Sequence, residues 1–198
     1  HSALPSGQAP QLEPNLEGVR RRLVEIYVSE KTPEKAADTL RAAATIVPKD
    51  GALRLRYAEL GERLALPAEA ERFYHLALEA DGTLEPAHFG LAQLWASQQQ
   101  LQKSLDAANR GLESNANSVR LLLLKASLLS QLDRRLESRQ MLEETFRISP
   151  KDVQVLAQTA TMRDLHGDRA GETYEALAGT LVQQNAAQPV IKTTLERG

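Results

Sequence analysis

From Glu17 almost to the end of the chain, apolar residues recur at three- and four-residue steps. No segment shows the clear alternation of a strand. Short breaks interrupt the pattern at residues 31–33, 47–51, 64–67, 80–86, 113–118, 148–152 and 166–168, at steps of about 17 residues or twice that. Helices of that length with such short connections predict antiparallel helix pairs. The segment 1–16 is rich in Pro, Gln and Gly, has no period, and reads as a linker or tail.

The breaks keep time. Pro48-Lys49-Asp50 and Pro150-Lys151-Asp152 lie 102 residues apart, three times 34. Cut at that period, the chain gives five units without insertion: 17–50, 51–84, 85–118, 119–152 and 153–186. The eighth place then reads Val24, Ala58, Ala92, Ala126 and Ala160. The twentieth reads Ala36, Ala70, Ser104, Ser138 and Glu172, and the twenty-seventh Ala43, Ala77, Gly111, Thr145 and Gly179. Small residues fall in columns where two helices approach closely; large ones such as Leu23, Tyr27, Leu91, Trp95, Leu40 and Tyr74 fill the space between. First helices are predicted near 17–30, 51–64, 85–98, 119–132 and 153–166. Residues 187–198 are too few for a sixth pair and read as a partial capping helix or a truncated next repeat.

Leu23, Tyr27, Ala36, Leu40, Ala43 and Pro48 in the first unit, and the run Leu91–Trp95 in the third, carry a resemblance. Over residues 17–186 the sequence resembles the tetratricopeptide repeat family, whose unit is a helix–turn–helix of 34 residues. The resemblance implies an all-α fold, a right-handed α-solenoid of five tandem helix–turn–helix repeats. Four places depart from the family pattern: Gly61 and Arg163 in the Tyr27/Trp95 column, Lys125 in the Leu23/Leu91 column, and Glu172 among the small residues. Asp50, Ser118 and Asp152 each close a unit, where a side-chain oxygen can cap the next helix. Thr32-Pro33 likewise predicts a cap and a first-turn proline.

Composition narrows the function. Apolar residues make up 42% and aromatics only 4%, so the core is built mainly from Leu and Ala, both strong helix formers. A formal net charge of −2 argues against nucleic acid as the partner. There is no cysteine, hence no disulfide, thiolate metal site or cysteine nucleophile. No apolar run approaches the ~20 residues that span a bilayer, so direct membrane insertion of this segment is not expected. No phosphate loop, nucleophile elbow or zinc motif is present. His75, His88 and His166 are scattered over three units. Catalysis, cofactors and metals are therefore not expected. The start at His1-Ser2, without methionine or signal peptide, favours an excised piece over a chain that has lost a leader.

In the family resembled, first helices line a concave face that holds a peptide or partner helix. Carried over, the lining falls on Arg21, Arg22 and Glu25, then Leu55, Arg56, Glu59 and Glu62, then Phe89 and Gln93, then Arg120, Leu123, Leu124 and Ser127. Gln154, Gln158 and Thr161 follow in the fifth unit. Leu55, Phe89 and Leu123 recur one unit apart; they either form an apolar ladder along the groove or pack against the neighbouring repeat. Glu25, Pro86 and Gly90 stand where the family's chaperone-binding members carry Asn, Lys and Arg, which argues against a chaperone co-factor. The expectation is a non-catalytic protein-binding scaffold in a multiprotein complex, such as bacterial envelope, pilus or secretion machinery. The alternative is a regulatory or substrate-docking arm of a larger enzyme. Oligomerisation through the repeat ends is compatible with either, as is a periplasmic or a cytoplasmic setting.

Overall fold

The structure is a computed structural model and describes residues 14–47, 49–165 and 171–195. Within them the chain is all helical. Five helix pairs follow one another: α1 (Pro14–Ser29) with α2 (Pro33–Ile46), α3 (Gly51–Arg63) with α4 (Pro67–Ala80), α5 (Glu85–Ser97) with α6 (Leu101–Ser114), α7 (Val119–Gln131) with α8 (Arg135–Ile148), and α9 (Val153–Leu165) with α10 (Gly171–Leu195). The starts of α3, α5, α7 and α9 fall 34 residues apart, as do those of α2, α4, α6 and α8. Pro14 opens α1 inside the segment read as a tail, and α10 runs unbroken through 187–195. The rest of the expected linker, Pro48 and the His166–Asp168 turn lie outside the described residues.

The small columns are where the helices meet. Val24, Ala58, Ala92, Ala126 and Ala160 are at most 1% exposed. Ala36, Ala70, Ser104, Ala43, Ala77 and Thr145 are fully buried, while Glu172 and Gly179 in α10 are exposed. The departures have local causes. At Gly61 a Cβ would stand 3.0–3.2 Å from the backbone and Cβ of Ala70, so α3 approaches α4 too closely for the family's aromatic ring. At Arg163 the guanidinium grips both oxygens of Glu143 at 2.9 and 2.7 Å, donates to Thr173 at 2.7 Å, and lies over the Phe146 ring at 5.1 Å. A cation with a carboxylate and a ring face fills the place of an aromatic.

Turn geometry repeats as strictly as packing. Lys31, Ala65, Gln99 and Asp133 have φ of 58°, 55°, 61° and 58°, a left-handed backbone at 34-residue spacing. Each follows a first helix and closes it with a pair of backbone bonds: at Ala65, Ala65 N to Glu62 O at 2.9 Å and Leu66 N to Gly61 O at 2.8 Å. Second-helix starts are capped differently from expectation. Thr32 holds the cap position, but its hydroxyl donates to Tyr27 O at 2.9 Å and makes no cap bond. The Tyr27 carbonyl ends the preceding helix and attracts the donor first. Asp50, Ser118 and Asp152 do cap, accepting from Leu53 N, Leu121 N, and Gln154 N with Val155 N.

The chain divides into two compact halves, His1–Leu94 and Trp95–Gly198. In the first, Tyr57 and Phe73 stack with ring centroids 4.9 Å apart. Tyr57 OH donates to Glu17 at 2.7 Å and ties α3 to α1, while Arg41 reaches the buried Glu69 at 2.9 Å and ties α2 to α4. In the second, Leu123, Ala126, Leu142, Val155 and Met162 form one apolar cluster. Ser138 is buried there without penalty because its hydroxyl donates to Ala126 O at 2.7 Å.

Candidate functional site

First helices of the first half carry most of the residues that the repeat geometry selects. Arg22, Arg56, Glu59 and Gln93 are exposed; Arg21, Glu25, Leu55 and Phe89 are half-buried. Glu25 is not a free anion. It accepts from Arg22 at 3.1 Å and from Arg63 at 3.0 Å, so its charge is spent between α1 and α3. Leu55 and Phe89 each keep part of their surface in water.

In the second half the selection needs correcting. Leu123 is only 4% exposed and sits in the core cluster with Val155 and Met162 of the next repeat. It packs rather than lines, because α9 covers it. Ser127, one turn further along α7, is exposed and borders a groove of about 720 Å³. Ser127, Ser130 and Gln131 of α7 form one wall, and Ala157, Gln158 and Thr161 of α9 the other. Ala126, Leu142 and Met162 supply an apolar floor, and Arg135 and Arg139 of α8 stand with Ser138 at the remaining side.

The groove's chemistry follows from those side chains. Its polar lining is hydroxyls and amides, which can donate or accept. Its charged lining is two arginines and no carboxylate. Arg135 does bond Asp133 at 2.8 Å, but both side chains are more than three-quarters exposed, so water screens that pair. The groove is therefore amphipathic, and the charged side chains lining it are both cationic, with Arg139 also in the field of Glu143. A second depression of about 490 Å³ runs along α8 past Leu136, Gln140, Glu143, Glu144 and Arg147, with Arg139 again at its edge. It carries both signs of charge, and Leu136 there is 78% exposed.

Ser130, Gln131, Arg135 and Arg139 escape a reading that considers only selected places on first helices. The spacing of Arg135 and Arg139, four apart on one helix with the small Ser138 between them, is the signal that could have found them. Among the described residues nothing gathers the histidines. His75 is exposed, and His88 is buried with Nε2 2.9 Å from Gly82 O. Among the described residues no group of three or more His, Asp or Glu side chains could hold a metal ion. No described helix is long and apolar enough to cross a membrane.

No protein-family model matches the chain, and no curated protein sequence does. Solved structures do. A crystal structure of MamA superposes with a TM-score of 0.65 at 13% identity, over 86% of this chain and 94% of that one. Pseudomonas aeruginosa PilF gives 0.63 at 15%, over 84% and 77%. YrrB, described as a TPR protein with an unusual peptide-binding site, gives 0.58 at 14%, over 87% and 90%. At such identities the likeness is one of fold.

Proposed function

We propose that this chain, which has the tetratricopeptide-repeat fold, is a non-catalytic scaffold that binds another protein and helps to assemble a multiprotein complex. The groove between α7, α8 and α9 takes an extended, acidic segment of that partner. The observation that carries the reading is the lining: an apolar floor for spaced side chains, hydroxyls and amides for a peptide backbone, and arginine as the only charge. Arginine and aromatic side chains are the usual energetic centres of such surfaces. YrrB's peptide-binding site, on the same fold, supports the general reading but not the choice of an acidic partner.

A fluorescein-labelled peptide of alternating Glu and Leu, titrated with the protein and read by anisotropy, tests this. It is expected to bind, and its Lys/Leu counterpart is not. Arg135→Glu combined with Arg139→Glu should weaken binding by roughly 10-fold or more at low salt, since each lost surface charge contact is worth up to about 1 kcal/mol. Equal binding of both peptides, or an unchanged affinity in the double variant, would refute the acidic specificity.

A further inference from the structure

The groove between α7, α8 and α9 changes character along its length. On α8 its lining steps through Arg135, Ser138, Arg139 and Leu142, one helix face at i, i+3, i+4 and i+7. Arg135 is the first residue of α8 and Gln131 the last of α7, so the cationic end lies at the turn between them. Leu142 packs with Ala126 and Met162 and marks the apolar end. The side chains between offer less. The Ser138 hydroxyl is committed to Ala126 O, and Arg139 also borders the depression that Glu143 lines. Arg135 is engaged through Nε alone, to Asp133 at 2.8 Å. Among the described residues no bond takes its Nη1 and Nη2, the edge that can receive both oxygens of a carboxylate.

We infer that the groove selects by spacing: the acidic partner segment proposed above, on whose binding this rests, places a glutamate and a leucine-sized side chain three residues apart in a polyproline II chain. Arg135 and Leu142 lie seven residues apart on α8, about 10.5 Å along its axis at a rise of ~1.5 Å each. Both side chains lean toward the start of the helix, so their separation stays of that order. A polyproline II chain turns once in three residues and rises about 3.1 Å per residue, so positions i and i+3 face one way ~9.3 Å apart. In a β-strand the residues facing one way are two or four apart, at ~6.6 or ~13 Å, and neither matches. A helical ligand covers the distance in seven residues but keeps its backbone bonds to itself. Polyproline II leaves every peptide group free. The hydroxyls and amides of Ser127, Gln131, Gln158 and Thr161 stand on the two walls to meet them.

Competition of unlabelled peptides against the labelled Glu/Leu peptide tests this. Each carries one Leu and one Glu in a Pro/Ser background, two, three, four or seven residues apart, in both orders. The spacing of three should compete at least ~5-fold more tightly than the others, since a misplaced leucine forfeits part of its burial. Arg135→Gln should level the series, with circular dichroism unchanged because the side chain is exposed. Arg147→Gln, on the outward side of α8, should leave the preference as it is. Equal affinities, or a maximum at another spacing, would overturn the inference while acidic binding stands. A preference that survives in Arg135→Gln would overturn the pairing of the carboxylate with Arg135. Failure of every Glu-bearing peptide, the labelled one included, would overturn the binding role and the spacing together.

Discussion

Replacing Gly90 by alanine puts the packing account at risk. Gly90 lies in α5 against the ring of Tyr74 in α4. A Cβ built on it would stand 2.3 Å from Tyr74 Cζ and Oη and 2.5 Å from Cε1. Carbon atoms pack at about 3.5–4.0 Å, so the ring or the helix must move by more than ~1 Å. The ring has little room, being 2% exposed, and its hydroxyl is pinned to Glu62 at 2.8 Å. Burial, and then the Glu62 carboxylate, hold that phenol far above its ordinary pKa, so it stays protonated and donates. In an open helical site Gly→Ala gains about 0.5–1 kcal/mol. Here overpacking costs about 1–3 kcal/mol, and straining a hydrogen bond to a charged group costs part of a further ~1.5–3 kcal/mol. The net expectation is a loss of roughly 1–3 kcal/mol. Gly179→Ala is the control: nothing lies within 4 Å of its Cβ, so it should gain ~0.5–1 kcal/mol. Urea denaturation followed by circular dichroism reads both. In a Tyr74→Leu background, Gly90→Ala should lose its penalty. If Gly90→Ala is as stable as the parent, the α4–α5 packing described here is wrong.

Three further outcomes are expected. Ala65→Gly should stabilise the chain by about 1 kcal/mol in the same denaturation assay, because the left-handed backbone at φ 55° costs a side-chain-bearing residue and not glycine. Leu123→Ala should cost ~2–5 kcal/mol as a core cavity; a loss under ~0.5 kcal/mol would return Leu123 to the surface. Glu143→Gln should show the acid dependence of its ion pair. The Arg163 guanidinium holds the Glu143 carboxyl below its usual range. Its stabilisation is complete above the ordinary carboxylate pKa of about 4.3 and is lost as pH falls through the lowered value. The difference between parent and variant, measured by denaturation at ~pH 7 and at ~pH 3, should shrink on acidification.

Much of the fold was legible because it rests on residue size. Two helix backbones approach closely only over short side chains, so Ala58, Ala92, Ala126 and Ala160 had to recur, and a 34-residue count exposes them. The left-handed turns were not legible. Lys31, Ala65, Gln99 and Asp133 share a backbone conformation and no chemistry, and none is the glycine that usually marks it. Arg163 looked like a defect because its partner Glu143 lies twenty residues away on another helix. The site was legible only in part. Leu55 and Leu123 hold the same place in their repeats, yet the first is half-buried and the second is core. Exposure there depends on how far the next helix covers the place, and a periodic pattern does not encode that. Arg135 and Arg139 face the groove from a second helix, outside the places a first-helix rule selects.

The proposed acidic peptide should lie in the arginine-lined groove of the fourth and fifth repeats. The most direct measurement is backbone amide shift mapping of the isotope-labelled chain as the Glu/Leu peptide is added. The perturbed amides should cluster at Ser127, Ser130, Gln131, Arg139, Gln158 and Thr161, and the shifts should disappear with the Arg135→Glu/Arg139→Glu variant. Shifts confined to the outward side of α8, around Leu136, Gln140 and Arg147, or no saturable shifts at all, would contradict it.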